Sequence, residues 1–187
     1  MTTAPTPLPA EAVRLDPHGP ACFGCGPANP GGIGLEVFRV GDEVVADVVF
    51  PERLAGAHGV VHGGVVASAC DDLMAFLLYV LGKPAVTRSL TVDYLAPVPV
   101  GEPHRLRGRI VERAGRRVVM SAVGEAADGT ARFTADAVFV EVDLAHFARF
   151  RPDAAEDPFS RFDARRADPL DPVAEVAEVA AVAEAQR

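Results

Sequence analysis

The sequence predicts an α+β fold in which a mostly antiparallel sheet packs against one long buried helix. Three observations lead to this prediction. Residues 63–81 are apolar around most of a helical circumference, which is typical of a helix inside a core. Two strand-like segments precede this helix and four follow it. Short turns join the four later segments, and short links connect antiparallel neighbours.

The segment before the helix contains an arm, a loop and a hairpin. Residues 1–20 are polar and rich in proline, so we expect a disordered N-terminal arm. Residues 21–32 are rich in Gly, Pro and Asn and predict a loop. Residues 33–40 and 43–50 read as two strands joined by a Gly-Asp turn, so a β-hairpin is expected there.

The helix and the later strands have clear limits. Apolar residues recur at spacings of three and four, as helical packing requires, and Gly82 and Pro84 then end the helix. The recurring residues are Val65, Ala69, Leu73, Phe76 and Val80. Four strands are expected after them, separated by turn-forming residues, at 85–95, 104–112, 116–126 and 130–142.

A chain of 187 residues suits one domain with tails. We place the domain at residues 21–148 and a Pro/Asp-rich linker with an Ala/Val/Glu-rich helix at 149–187. The valines of that helix recur every third residue, which drifts about 60° per step around an α-helix. It therefore presents no single apolar face, and we expect a mobile tail.

Composition narrows the class of function. A net charge of -8 argues against a general nucleic-acid binder. The longest uninterrupted apolar run, Leu73 to Leu81, is short for a bilayer span, so no membrane partner is expected. Three cysteines without a secretory signal do not indicate a disulfide framework, and a cytoplasmic location is expected.

The chemistry-bearing motif lies at the start of the helix. Gly63 and Gly64 offer backbone N–H groups at a helix N-terminus, where a carbonyl can approach closely. Asp71 and Asp72 place carboxylates in a helix built for burial, which is costly unless they have partners or a function. Asp71 follows His62 by nine residues. On an α-helix this spacing corresponds to about 13.5 Å of rise and places the two residues about half a turn apart. Gly63 of one chain should therefore meet Asp71 of a twofold-related copy, which gives two equivalent sites per dimer.

Two segments, residues 56–72 (GAHGVVHGGVVASACDD) and 87–101 (TRSLTVDYLAPVPVG), resemble the hotdog-fold acyl-CoA thioesterases of the PaaI type. In that family a His-Gly-Gly triplet begins the central helix and an acidic residue follows nine positions after the His, matching His62, Gly63, Gly64 and Asp71. The family's next strand matches Thr87, Leu90, Tyr94 and Pro97. The loop CFGCGPANPGG resembles an entry loop of one subset, and the similarity covers roughly residues 21–143.

The resemblance implies a hotdog fold and acyl-CoA hydrolysis at an edge-to-edge dimer. The Gly63 N–H would polarise the thioester carbonyl, and Asp71 of the other subunit would act as general base or as nucleophile. His62 would orient the site and Thr87 would position water. Ser68 is expected to hydrogen-bond Asp71. Coenzyme A belongs to the substrate, so no separate cofactor is implied.

Other residues are weaker candidates. Gly64 and His58 are placed at the substrate, and Met74 is expected in the acyl pocket with Phe76, Leu77 and Leu78. Arg116 and Arg117 begin a strand and would bind CoA phosphates. The bland alternative for Asp72 is a polar helix position near Ser68 or a dimer contact.

The cysteines predict no metal site. Cys22 and Cys25 form a single CxxC without a second pair, and His18 lies in the expected arm. We therefore expect a tight turn packed on the core and no metal. Cys70 is expected to be a buried thiol.

Two other functions compete with hydrolysis. Hotdog hydratases carry a Gly-Asp-x-Asn-Pro-x-His context, whereas here Asn29-Pro30 is followed by Gly31 and Gly32. A non-catalytic acyl-CoA or small-aromatic binding dimer would keep the fold without turnover. The acyl group, and the choice between a dimer and a dimer of dimers, stay open at this point.

Overall fold

The computed structural model describes residues 6–143 and 146. Before the helix lie β1 (Val13–Arg14), β2 (Val37–Val40), β3 (Glu43–Val49), a 3-10 turn (Glu52–Leu54), β4 (Ala55–Ala57) and β5 (Val60–Val61). The helical segment comprises α1 (Gly63–Ala75) and α2 (Leu77–Leu81). Four long strands follow: β6 (Ala85–Tyr94), β7 (Pro103–Ala114), β8 (Arg117–Ala126) and β9 (Ala131–Glu141).

Seven strands form one sheet in the order β1-β2-β3-β7-β8-β9-β6. Each neighbouring pair in it is antiparallel. The sheet packs on the helix, so the predicted α+β architecture is confirmed. Strand β6 lies at one end of this sheet, and this position makes it an edge strand.

The helical segment is the centre of the core. Helix α1 passes into α2 at Phe76, whose own backbone is helical, and Gly82 in the left-handed region (φ 68°) ends α2. The inward side chains are fully buried, and each large apolar side chain contributes roughly 1.5–3 kcal/mol through burial. They pack with buried residues of the sheet in one cluster that includes Leu73, Met74, Leu77, Val44, Leu106, Met120, Phe133 and Phe139.

The stretch Gly63–Leu81 is long and apolar enough to span a membrane by length and composition alone. Its mean hydropathy reaches 1.7, because Asp71 and Asp72 are diluted by apolar neighbours. More than half of it is buried inside this fold, as is usual for the core helix of a globular domain.

The N-terminal segment differs from the expectation. Strand β1 pairs with β2, and Leu15 is only 5% exposed. The prediction of a disordered arm is therefore wrong for residues 13–18, where apolar contacts and strand pairing outweigh the proline-rich composition. The linker and C-terminal helix predicted at 149–187 lie outside the described residues.

The predicted first hairpin is confirmed, with a later start. Strand β2 begins at Val37, whereas residues 33–36 face the CxxC loop. The Ile33 N–H donates to the Phe23 carbonyl (2.8 Å) and the Leu35 N–H to the Gly24 carbonyl (2.9 Å). Because these backbone N–H groups donate to carbonyls of the CxxC loop, strand β2 is shorter than predicted.

Candidate active site

The N-terminus of α1 is held by His62. This residue is the N-cap, and its Nδ1 accepts a hydrogen bond from the Gly64 N–H at 2.9 Å. The N–H groups of Val65 and Val66 both donate to the His62 carbonyl. Within the described chain this leaves the Gly63 N–H as the first-turn donor without a partner, so it is free to meet an external acceptor.

Tyr94 holds the same residue, Gly63, from the sheet side. Its hydroxyl donates a 2.8 Å hydrogen bond to the Gly63 carbonyl. A Cβ atom on Gly63 would lie 3.3 Å from that hydroxyl oxygen, so glycine gives Tyr94 its close approach. Tyr94 matches the strand motif in the sequence, but no role at the site was predicted for it. The signal was present in the Leu90-x-x-x-Tyr94 spacing.

Asp71 and Thr87 meet, as the resemblance implied. The Thr87 hydroxyl donates to Asp71 Oδ1 at 2.8 Å, between the edge strand β6 and the central helix. Thr87 is opposite Phe139 of β9, which is buried against the helix. Since paired residues share a face of the sheet, this register directs Thr87 toward α1.

Ser68 does not serve Asp71. Its hydroxyl donates to the Gly64 carbonyl, one turn earlier, at 2.8 Å. The expected bond to Asp71 is therefore wrong. The hydroxyl of a serine in a helix can reach the carbonyl four residues before it. Ser68 donates to that carbonyl and not to the Asp71 carboxylate.

The two halves of the predicted site lie apart in one chain. Gly63 and Asp71 are eight residues apart in α1, which corresponds to about 12 Å of rise. One small reacting group cannot contact both within this chain. This separation along the helix is the reason that we predicted a site shared between two copies.

Two predicted binding residues, Met74 and Arg117, do not lie where a ligand at the Asp71–Thr87 pair would contact them within one chain. Met74 is 0% exposed in the core, so a ligand cannot touch it in this fold, and its predicted place in the acyl pocket is not supported. Arg117 is opposite Val140, which is opposite Val86. Alternation along β6 therefore places Arg117 on the face of the sheet opposite that of Thr87.

Arg116 and His58 are exposed turn residues. Arg116 precedes β8 and donates from Nε to the Glu141 carbonyl at 2.9 Å. His58 lies in the turn between β4 and β5. Within one chain neither is joined by a hydrogen bond to the Asp71–Thr87 pair.

Asp71 also influences its preceding neighbour. Burial, and then the charge of Asp71, raise the pKa of the Cys70 thiol to about 12. Cys70 is fully buried and stays a neutral thiol at physiological pH, so it is no nucleophile. Its predicted place as a buried core thiol is confirmed.

Asp72 points to a different partner set. It is 8% exposed and contacts His18 and Cys22 at 3.0 and 3.2 Å. It is therefore neither a polar position beside Ser68 nor a free surface carboxylate. Its histidine and cysteine neighbours form a second cluster, separate from the Asp71–Thr87 pair.

Comparisons with known proteins agree with this architecture. Residues 58–132 match the sequence model of the thioesterase superfamily. A candidate esterase of Saccharolobus solfataricus is 33% identical over 91 residues, which are 48% of this chain and 59% of the relative. A thioesterase superfamily protein of known structure is similar with a TM-score of 0.59 and 28% identity, over 62% of this chain and 57% of that one.

Two further solved structures share the fold at lower identity. A hypothetical thioesterase from Streptococcus pneumoniae, solved with coenzyme A, has a TM-score of 0.55 at 20% identity over 58% of this chain and 85% of its own. The E. coli PaaI protein of the phenylacetic acid degradation operon has a TM-score of 0.55 at 16% identity, over 59% and 81%. The chain spans less than two thirds of the esterase relative and of the first structure. The predicted hotdog fold is confirmed.

Proposed function

We propose that this chain, a member of the thioesterase superfamily through residues 58–132, hydrolyses the thioester bond of an acyl-coenzyme A. The observation that carries the proposal is the 2.8 Å hydrogen bond from the Thr87 hydroxyl to the Asp71 carboxylate. Asp71 lies on the same helix whose first turn leaves the Gly63 N–H without an acceptor in the described chain. A carboxylate and an oxyanion donor are the two groups that thioester hydrolysis needs.

The chemistry follows from these two groups. The thioester carbonyl oxygen accepts a hydrogen bond from the Gly63 N–H, which stabilises the negative charge that develops there. A single donor of this kind is worth roughly 10²–10³ in rate. Asp71 either removes a proton from the attacking water or attacks the carbonyl carbon itself. In the first route water adds to the carbonyl carbon and the carbon–sulfur bond breaks. In the second route the carbon–sulfur bond breaks as an anhydride forms between the acyl group and Asp71, and water then hydrolyses this anhydride. In both routes CoA leaves as a thiolate that takes up a proton, and the acyl group ends as a free acid.

We place Gly63 and Asp71 of each site on different copies of the chain. Strand β6 ends the sheet and is exposed along most of its length, including Thr91, Asp93 and Tyr94. An exposed edge ten residues long is a template for pairing with another strand. Pairing through β6 brings the Thr87–Asp71 pair and the Tyr94–Gly63 pair to the interface, since β6 supplies a residue to each.

We propose that coenzyme A carries the acyl group of the substrate. We also propose that the active protein is a homodimer or a dimer of dimers. The Streptococcus pneumoniae relative was solved with this molecule. Arg116 and Arg117 are exposed cations at the β7–β8 turn, and their charge suits the phosphates of CoA. Because one chain keeps Arg117 away from Thr87, these contacts would come from the neighbouring copy.

The test is release of free thiol from a panel of aromatic and aliphatic acyl-CoAs. Asp71→Asn should lose at least about 100-fold of the turnover number while keeping the fold and the oligomer, because the change is nearly isosteric. Asp136→Asn is the matched control, since Asp136 is an exposed carboxylate on β9. It should retain the wild-type rate.

Two outcomes would overturn the proposal. Thiol release from no member of the panel, together with tight acyl-CoA binding by calorimetry, would identify a non-catalytic binding protein. Equal losses of turnover in Asp71→Asn and in a folded Asp72→Asn variant would reject Asp71 as the reacting carboxylate.

A further inference from the structure

Four metal-ligating side chains meet on the side of α1 that faces the N-terminal segment. They form the His18 cluster, which consists of His18, Cys22, Cys25 and Asp72. Their ligand atoms all lie within 4.8 Å of one another. Three come from one loop with the spacing His-x3-Cys-x2-Cys, and the fourth comes from the central helix. We propose that the His18 cluster is a structural zinc site that fastens the N-terminal segment to the core helix.

The distances suit a tetrahedral ion. The His18 Nδ1 to Asp72 Oδ1 distance is 3.0 Å, and the two Cys Sγ atoms lie 3.2 and 3.7 Å from the same oxygen. Cys25 Sγ lies 3.4 Å from His18 Nδ1. Zinc bonds of 2.0–2.3 Å in a tetrahedron place neighbouring ligand atoms about 3.3–3.8 Å apart. The four distances measured here, 3.0 to 3.7 Å, lie within a few tenths of an ångström of these values.

The chemistry of the donors favours zinc among common metals. Two sulfurs, one imidazole nitrogen and one carboxylate oxygen form a mixed soft and borderline set, which favours zinc over magnesium or calcium. Four protein ligands leave no open position for a substrate. A closed set is the arrangement of structural sites, and catalytic sites keep one position for water.

The surroundings leave charge to be balanced. Asp72 Oδ2 is buried without a hydrogen-bond partner among the described residues, and so is His18 Nε2. A buried carboxylate with an oxygen left unpaired is costly, and a cation bound at the centre of the cluster would offset that cost.

The loop is shaped around the cluster. A Cβ atom at Gly24 would overlap the Asp72 carboxylate, so only glycine lets the CxxC backbone pass so close to the helix. The His18 N–H reaches Cys25 Sγ at 3.3 Å. Backbone N–H groups that donate to ligand sulfurs are typical supports of metal sites. His18 also packs on Phe76, with ring centroids 4.1 Å apart, which fixes the ring on the helix.

The site explains why residues 13–35 are ordered. Strand β1 has two residues and the CxxC loop has few buried apolar side chains, so pairing and burial alone stabilise this segment weakly. A metal bridging the loop and Asp72 would tie it to the most buried element of the fold. It would also fix the position of α1 beside Asp71.

The test measures metal on the full-length chain. The purified protein, loaded with Zn²⁺ and desalted, should hold one zinc per chain by elemental analysis. The Co²⁺ form should show the intense visible bands of tetrahedral coordination and a thiolate-to-cobalt charge-transfer band. The Cys22→Ser/Cys25→Ser variant should lose that band and bind zinc more than about 100-fold more weakly. Cys70→Ser, at a buried cysteine outside the cluster, is the matched control and should keep both.

The wild-type measurements keep the proposal testable if the double variant does not fold. Removal of zinc by a chelator should lower the melting temperature by more than about 5 °C, with recovery on adding zinc. Substoichiometric zinc, an octahedral cobalt spectrum without the thiolate band, or a double variant that binds as the wild type does would each overturn the proposal. Because the readouts are metal content and spectrum, their failure is distinct from a failure of thioester hydrolysis.

Discussion

The Thr87 hydroxyl donates a hydrogen bond of 2.8 Å to Asp71 Oδ1 and so joins the edge strand of the sheet to the central helix. Thr87→Val keeps the shape of the side chain but removes the donor. A hydrogen bond to a charged group contributes about 1.5–3 kcal/mol, so we expect the turnover number to fall about 10- to 100-fold. Thr87→Ser should restore most of it.

The matched control for this prediction is Thr91→Val, an exposed threonine on the same strand. It should leave thiol release unchanged, as judged from full rate-against-concentration curves. Equal losses at both positions would mean that the strand, and not the bond to Asp71, determines the rate.

Oxygen isotope labelling can distinguish the two roles proposed for Asp71, general base and nucleophile. In a single turnover with enzyme in excess in ¹⁸O-labelled water, a general base directs labelled water onto the acyl carbon, and the acid carries one label. A nucleophilic Asp71 forms an acyl anhydride, and water that attacks its aspartyl carbon leaves the acid with an unlabelled Asp71 oxygen and puts the label in the side chain. Label in the peptide that contains Asp71, measured by mass spectrometry, therefore shows the nucleophilic route.

A repeat of that reaction with Asp71→Asn provides the control. Any acid formed by this variant should show the labelling of uncatalysed hydrolysis. A labelled Asp72 in the wild-type peptide would contradict the assignment of Asp71 as the reacting group.

Tyr94 is predicted to be a positioning residue. Tyr94→Phe removes the hydroxyl that holds the Gly63 carbonyl, so the Gly63 N–H should lose its alignment with the thioester. We expect kcat to fall about 5- to 20-fold with little change in KM, because misaligned donors mainly lose transition-state stabilisation. Steady-state kinetics on the best acyl-CoA measures both constants.

The chain offers a close control for this change. The Tyr79 hydroxyl also donates to a backbone carbonyl, that of Asp16, at 3.1 Å. Tyr79→Phe should cost comparable stability and leave kcat unchanged. Equal effects of the two variants on kcat would show that the loss at Tyr94 is structural.

Local pattern predicted most of the fold, and the family resemblance implied that Thr87 lies near Asp71. The strands after the helix follow from short turns, and Asp71 follows from its spacing to His62. The His18 cluster was missed because it depends on a contact between residues 54 positions apart. A single CxxC does not reveal which helix the loop will meet, and proline-rich composition concealed the order of His18. Tyr94 was missed because its partner is a backbone carbonyl, which leaves no trace in side-chain patterns.

His104 provides a prediction of pH-dependent stability. It is 0% exposed, and burial lowers the pKa of its imidazole below 6.5, although its Nδ1–H donates to the Glu102 carbonyl at 3.0 Å. The unfolded chain, with the ordinary pKa of 6.5 at this residue, takes up a proton first as the pH falls. The contribution of His104 to the free energy of unfolding is therefore complete above pH 6.5 and is lost below it. The slope is at most about 1.4 kcal/mol per pH unit.

The measurement is urea unfolding between pH 7.5 and pH 5, for the wild type and for His104→Asn. Asparagine keeps an N–H donor near the Glu102 carbonyl but does not titrate. The other histidines are common to both proteins, so the difference between their unfolding free energies isolates His104. We expect this difference to shrink as the pH falls below 6.5, because only the wild type loses stability through this residue. A difference that is constant over the whole range would show that His104 has the same pKa in the folded and unfolded chains.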